Sequence, residues 1–145
     1  MDAPAVRIRP ATPADARALA ALSGELGYPS SVAQVRARLC LLDDPERTLR
    51  VAESAGVLAG FIDVHVQRTV EQDPHAEVGG LVVRDGHRGR GLGAALVNAA
   101  ADWGRARSLG LLWIRANLAR VGPHEFYEAI GGRRVKDQRV YEFRL

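Results

Sequence analysis

The sequence predicts an α/β (α+β) domain built on a largely antiparallel sheet. Three observations lead to this prediction. Strand-like and helix-like patterns follow one another along all 145 residues, without repeats or linkers. Two β-prone runs joined by a small turn form a hairpin signal, which favours antiparallel pairing. The length of 145 residues suits a single domain, spanning residues 1–145, that can bury a core of its own.

The N-terminal part predicts one strand followed by two helices. Val6–Arg9 alternates apolar and charged residues, as a half-buried strand does. A capping pattern then opens a helix, with Thr12 as the cap and Asp15 three residues later. This helix should run to about Leu26. The same pattern recurs at Ser31 and predicts a second helix.

From about residue 48 the pattern changes to strands. Leu49–Glu53 and Val57–Val66 flank a small turn and predict the hairpin. Glu77–Val83 predicts a further strand. After a glycine-rich turn, apolar residues recur at steps of four and three and predict one buried face of a long helix: Leu92, Leu96, Ala99, Trp103 and Ala106.

The C-terminal part predicts three more strands and a short helix. Leu111–Ala116 is an apolar run typical of a buried strand. A short helix should begin at Pro123 and stop at Gly131-Gly132, before two strands at Arg133–Val135 and Arg139–Phe143. The sheet should therefore have about six to seven strands, flanked by helices.

Composition excludes several kinds of site. The single cysteine, Cys40, excludes an intramolecular disulfide and a cysteine-based zinc site. The four histidines lack close metal-ligand spacing, so we expect no metal. The first twenty residues hold charges and no long apolar run, which predicts neither a signal peptide nor a membrane span. A cytoplasmic location is the expectation.

Charge is unevenly distributed along the chain. Residues 1–83 carry 8 arginines and 11 acidic residues, whereas residues 84–145 carry 12 basic and 6 acidic residues. A positive field of this kind attracts nucleic acid, a membrane surface or a nucleotide cofactor. The arginines lie between core positions and few aromatic residues are available for stacking, which disfavours nucleic acid. We expect neither a nucleic-acid nor a membrane partner.

The turn before the long helix is the most informative segment. Glycines at 89, 91 and 93 let backbone N–H groups approach a ligand closely, and the helix start adds a partial positive charge. Arg88 and Arg90 add charged, forked donors that suit phosphate oxygens. The turn therefore predicts a pyrophosphate site.

Two well-known phosphate-binding motifs match this turn less well. A nucleoside-triphosphate loop needs Lys-Ser/Thr after the last glycine, and Leu92-Gly93-Ala94 supplies neither. A dinucleotide-binding turn is formally matched by Gly89-x-Gly91-x-x-Ala94. That motif expects an acid about 20 residues further on, where this chain has Leu112-Trp113-Ile114. A plain glycine-rich loop without a ligand is the remaining alternative.

Arg88-Gly89-Arg90-Gly91-Leu92-Gly93 matches the Arg/Gln-x-x-Gly-x-Gly/Ala signature, and the chain resembles the GNAT superfamily of N-acetyltransferases. The element order fits this resemblance over essentially the full chain. It implies a mixed sheet, splayed between the fourth and fifth strands, that binds acetyl-CoA. The implied CoA-binding residues are Leu81, Val82, Val83, Arg88, Gly89, Arg90, Gly91, Leu92, Gly93, Ala94, Asn117 and Phe126.

The resemblance also implies a reaction, the direct transfer of an acetyl group to a primary amine of a small molecule. Tyr127 resembles the family's general acid, which protonates the departing thiolate. Glu77 is the first candidate for the general base and His124 the second. A merely solvated or salt-bridged Glu77 and an ordinary core Tyr127 are the alternatives. Gly79-Gly80 would permit a bulge that frees a backbone N–H for the carbonyl oxygen.

Two further functions stay open, a catalytically silent acyl-CoA-binding or sensor domain and a protein N-acetyltransferase. Many family members carry an aromatic residue after the glycine that follows the short helix, whereas this chain has Gly131-Gly132. Homodimers are common in the superfamily, so a homodimer is compatible with the resemblance. The acceptor amine, the pathway, the oligomeric state and the identity of the base are not determined by the sequence.

Overall fold

The computed structural model describes residues 5–118 and 122–145, which fall in two compact units, Met1–Ile114 and Arg115–Leu145. The first unit holds a five-stranded sheet in the order β1-β2-β3-β4-β5. Neighbours from β1 to β4 are antiparallel, and β5 is parallel to β4. The strands are β1 Val6–Pro10, β2 Arg47–Ser54, β3 Val57–Gln67, β4 His75–Val83 and β5 Leu112–Ile114.

Helices lie on both faces of this sheet. The first unit contains α1 Ala16–Leu26, α2 Val32–Arg38 and α3 Leu92–Arg105, and the second unit contains α4 Pro123–Ala129. The mixed α/β class and the mostly antiparallel sheet are confirmed. Within the described residues, no helix has the length and apolar character needed to cross a membrane. The expectation of one domain over residues 1–145 stays a prediction.

The predicted strand count is wrong for the described residues, which form five strands and not six or seven. Residues 133–135 and 139–143 are not strands, and no residue after α4 is helical. Val140, Tyr141 and Phe143 in this segment are exposed. Strand propensity describes how well a side chain fits a half-buried pleated surface, so a β-prone run forms no strand unless it joins a ladder.

Capping residues begin the first two helices where the sequence predicts. Ser31 Oγ accepts a hydrogen bond from the Gln34 backbone N–H at 3.1 Å, and the Ser31 N–H donates to Gln34 Oε1 at 2.9 Å. At Thr12, the backbone N–H donates to Asp15 Oδ2 at 2.8 Å, and a short 3-10 turn leads into α1. Gly27, with φ +102°, ends α1 in the left-handed conformation that glycine favours.

Two apolar layers hold the sheet between its helices. One packs α1 and α2 against residues of β2 to β4, with Leu22 and Val51 fully buried. The other packs α3 against the opposite face, with Ile62 and Leu96 fully buried. At Gly60 the strands and α3 come so close that a Cβ would lie 2.6 Å from Val82 O and 3.3 Å from Leu96 Cδ1.

The sheet opens between β4 and β5, as the resemblance implies. The parallel pairing covers Ala76–Val78 only, and β4 continues to Val83 beyond the last pair, Val78 with Ile114. On the other side of β4, the register with β3 shifts between Asp63 and Val64, so Gly79 is the extra residue of a bulge. The bulge and the opening therefore lie at the same level of β4.

Candidate functional site

The turn between β4 and α3 has the backbone conformation that its glycines predict. Gly86, Gly89 and Gly91 have φ of +85°, +77° and +79°, a region that residues with a Cβ rarely adopt. A Cβ added to any of the three would meet nothing within 4 Å. In the protein without ligand, glycine is therefore favoured at these positions by the positive φ angle and not by a lack of space for a side chain.

The start of α3 supplies main-chain donors. Gly91 is the N-cap residue, and the first intrahelical bond runs from the Ala95 N–H to Gly91 O at 3.0 Å. The N–H groups of Leu92, Gly93 and Ala94 precede that bond and have no acceptor within the helix. The Leu92 side chain is buried against the sheet, so its predicted contribution to binding rests on its backbone.

Two arginines add charge beside these donors. Arg88 and Arg90 are exposed, and Arg88 Nε donates a hydrogen bond to Val83 O at 3.1 Å. This bond holds the turn against the end of β4. Together with the helix start, the turn provides aligned N–H groups and full positive charges, which is the arrangement that binds phosphate groups.

The open edge of β4 presents every second residue. The Arg84 N–H donates to Ala59 O at 2.7 Å, so by alternation the backbone groups of Val82 also face β3. Those of Leu81 and Val83 face the opposite side, past the last pair with β5. Leu81 and Val83 can therefore bond an extended ligand arm, whereas Val82 contributes a buried side chain to the core.

A polar row crosses the sheet at the base of this opening. Arg47, His65, Glu77 and Trp113 are successive register partners on β2, β3, β4 and β5. The Glu77 side chain is only 7% exposed, and its Oε2 lies 3.5 Å from His65 Nε2. Glu77, which the sequence identifies as the first candidate base, is thus a buried carboxylate beside a histidine.

Asp63 lies two residues before His65 and provides a second, half-buried carboxyl group. Its Oδ1 is 3.7 Å from the Arg47 guanidinium, and its Oδ2 is 3.5 Å from where a Cβ would lie at Gly79. Burial raises the pKa of the Asp63 carboxyl, and the charges of Arg47 and His65 only partly oppose this effect. The two carboxyl groups sit on either side of the β4 bulge.

The second unit contains the other predicted site residues. Phe126 and Tyr127 are half-buried, with ring centroids 5.3 Å apart at a 58° tilt. His124, at the start of α4, is half-buried too, and its Nε2 has no hydrogen-bond partner among the described residues. Asn117 is exposed. The roles of these four residues in the site stay predictions.

The departure at Gly131-Gly132 has a local reason in this unit. Gly131 has φ +101° and ends α4, and the Gly132 N–H donates to Tyr127 O at 2.8 Å. A Cβ at Gly132 would lie only 2.8 Å from the same oxygen. An aromatic residue at position 132 would therefore displace the backbone of Tyr127.

Sequence reasoning missed Arg47, Asp63 and His65. A signal for two of them is present in β3, where polar Asp63, His65 and Gln67 alternate with apolar Ile62, Val64 and Val66. This pattern puts one polar stripe on a sheet face. Arg47 has no comparable signal, because only the register of β2 brings it opposite His65.

Comparisons with known proteins identify the family and similar folds. The profile of the Acetyltransferase (GNAT) family matches residues 16–131. Streptothricin acetyltransferase of Streptomyces lavendulae is 32% identical over 93 residues, which are 61% of this chain and 46% of that protein. The chain thus spans less than half the length of this relative.

Solved structures share the fold over nearly the whole chain. A transcriptional regulator from Bacillus halodurans C-125 has a TM-score of 0.84 at 25% identity, covering 96% of this chain and 100% of that one. The aminoglycoside N-acetyltransferase AAC(6')-Iy in complex with CoA has a TM-score of 0.87 at 18% identity, covering 99% of this chain and 98% of that one.

Proposed function

Because the chain belongs to the GNAT acetyltransferase family, we propose that it transfers the acetyl group of acetyl-CoA to a primary amine of a small molecule. One observation carries the proposal. The glycine turn opens α3 with unbonded N–H groups, directly after a strand whose Leu81 and Val83 backbone groups face an opening in the sheet. This arrangement suits a pyrophosphate joined to an extended amide-bearing arm.

The residues present fit acetyl-CoA, which when bound supplies an activated acetyl thioester. The N–H groups of Leu92, Gly93 and Ala94 and the charges of Arg88 and Arg90 would hold its pyrophosphate. Leu81 and Val83 would pair with its amides, as a neighbouring strand would. In support, the related fold of AAC(6')-Iy was solved with CoA.

The chain also offers groups for the chemical step. A backbone N–H of Leu81 or Val83 would donate to the carbonyl oxygen as negative charge develops there, a contribution of roughly 3–4 kcal/mol for one such donor. Glu77 would accept a proton from the acceptor ammonium, with His124 as the second candidate. The Tyr127 hydroxyl would donate its proton to the departing thiolate.

We assign the acceptor to the class of small cationic amines. Asp63 and Glu77 place two carboxyl groups on one face of the sheet beside the opening, where an ammonium group is attracted. The net charge of residues 1–83 is also negative. The relative from Streptomyces lavendulae, by its name a streptothricin acetyltransferase, supports acetyl transfer to an acceptor other than a protein.

Two measurements on the full chain test the proposal. Calorimetric titration with CoA should show saturable binding, and a panel of small amines with acetyl-CoA should release free thiol with at least one acceptor. No binding at millimolar CoA refutes the proposal. Binding without thiol release from any amine, or release only with peptide amines, would favour the silent CoA-binding domain or a protein N-acetyltransferase, respectively. A homodimer stays a prediction that sedimentation velocity tests.

A further inference from the structure

We propose that His65 is a positioning residue that orients the carboxylate of Glu77 through its Nε2–H group; the inference rests on the proposed function of Glu77 as the base. His65 and Glu77 are direct register partners on β3 and β4, so the backbone holds their side chains side by side. Nothing in the sequence signature of the glycine turn involves His65, which lies 23 positions before Arg88.

The surroundings of the imidazole determine which nitrogen carries the proton. His65 Nδ1 is buried and has no hydrogen-bond partner among the described residues. Nε2 faces two acceptors, Gln67 Oε1 at 3.1 Å and Glu77 Oε2 at 3.5 Å. A proton on Nδ1 would lie buried without an acceptor, whereas a proton on Nε2 can bond to Gln67 Oε1 and lies beside Glu77 Oε2 at ion-pair distance. These contacts favour the Nε2–H tautomer for the neutral imidazole, which puts its N–H group beside Glu77.

A donor at this place matters because Glu77 is buried. Its side chain is 7% exposed against 23% for His65, so water cannot orient the carboxylate from all sides. The N–H group of His65 would fix Oε2 and thereby the direction of the second carboxylate oxygen. A base held in one direction keeps a constant geometry toward the amine, and small displacements of a reacting group lower rates strongly.

The position of the pair in the sheet favours a role in the reaction. Glu77 immediately precedes Val78, whose pairing with Ile114 is the last between β4 and β5, so Glu77 and His65 lie at the base of the opening. Leu81, a predicted donor to the carbonyl oxygen, lies four residues further along the same strand. Arg47 and Asp63 are the charged neighbours of His65 on β2 and β3.

A double-mutant cycle tests the inference with kcat and KM for acetyl-CoA as readouts. His65→Phe should lower kcat by about tenfold or more, the effect expected when a polar donor beside a charged group is lost, while KM changes less than twofold. His65→Gln, whose amide can donate from a similar place, should restore part of kcat. In a Glu77→Gln background, His65→Phe should change kcat less than twofold, because the group it orients is gone.

The matched control is Gln67→Ala, which removes the competing acceptor of the same N–H and should leave kcat within twofold. Equal losses from His65→Phe in both backgrounds would overturn the inference, since a structural role does not depend on Glu77. A loss in Gln67→Ala as large as that in His65→Phe would overturn it too.

Nitrogen-15 NMR of the imidazole gives a readout that does not need activity. At pH 8 the His65 ring, assigned with His65→Gln, should be the Nε2–H tautomer, and its Nε2–H resonance should move in Glu77→Leu. An Nδ1–H tautomer, or an unmoved resonance, overturns the inference even in an active enzyme. A chain that shows the expected resonances but releases no thiol would refute the proposed function and support the contact.

Discussion

Replacing Gly91 with alanine separates the role of the turn in binding from its role in folding. Gly91 has φ +79° at the N-cap of α3, and a Cβ there meets nothing within 4 Å. The left-handed conformation disfavours a residue with a Cβ by about 1–2 kcal/mol, and no steric clash adds to it. The Tm of Gly91→Ala should therefore fall by about 4 °C for each kcal/mol of lost stability in a domain of this size.

Binding should suffer more than folding. Gly91→Ala can relieve its strain by rotating the backbone, and this rotation moves the N–H groups of Leu92 and Gly93 away from a shared ligand. We expect the Kd for CoA, measured by calorimetry, to rise at least about tenfold, since more than one charged hydrogen bond is disturbed.

Gly56→Ala is the matched control. Gly56 has φ +75° with the same open space around its Cβ, but it belongs to the β2–β3 hairpin turn. Both variants should therefore lose similar stability in thermal unfolding, whereas Gly56→Ala should keep its Kd within twofold. Equal changes in Kd for the two variants would refute the assignment of the turn to CoA binding.

Three further outcomes are expected. Arg9 donates two hydrogen bonds to the Asp15 carboxylate, at 2.8 and 2.9 Å, and these lower the pKa of Asp15. The pair therefore stabilises the fold above about pH 4. Asp15→Ala should lower the free energy of unfolding, measured in urea, by roughly 1–3 kcal/mol at pH 7, and by less as the pH falls. Burial raises the pKa of the Asp63 carboxyl, so its ionised form costs stability above about pH 4, and this cost is lost as the pH falls. Asp63→Asn should therefore raise Tm at pH 7, with the gain shrinking toward pH 4; a lower Tm at pH 7 would contradict this. Tyr127→Phe should lower kcat with KM for acetyl-CoA unchanged, and an unchanged kcat would remove Tyr127 from the reaction.

Local signals predicted the elements that local interactions form. Ser31 and Gln34 bond each other within one helical turn, so the start of α2 could be read from four residues. Gly91 is likewise visible as a turn residue because its conformation is a property of its own backbone. The prediction of strands at 133–135 and 139–143 was wrong, because a strand forms only when it pairs with another strand, which can lie far away in the sequence.

The residues of the candidate site likewise fall into those that the sequence could identify and those that it could not. Arg88, Gly89 and Gly91 belong to one continuous signature, and Glu77 could be proposed from its spacing to it. The sequence could not identify His65 and Arg47 as site residues, because only the register of three strands brings them into one row with Glu77. Likewise, the ladder and not the sequence decides that Leu81 and Val83, but not Val82, turn their backbone groups to the opening.

The amino-acid order alone determined the helix caps, the hairpin, the glycine-rich turn before α3 and the family, since each is encoded in a short stretch of chain or in the succession of such stretches. Tertiary structure decided where β4 separates from β5, how deeply Glu77 and Asp63 are buried, and which histidine lies beside Glu77. These properties arise from strand register and burial, which depend on residues far apart in sequence and have no local signature.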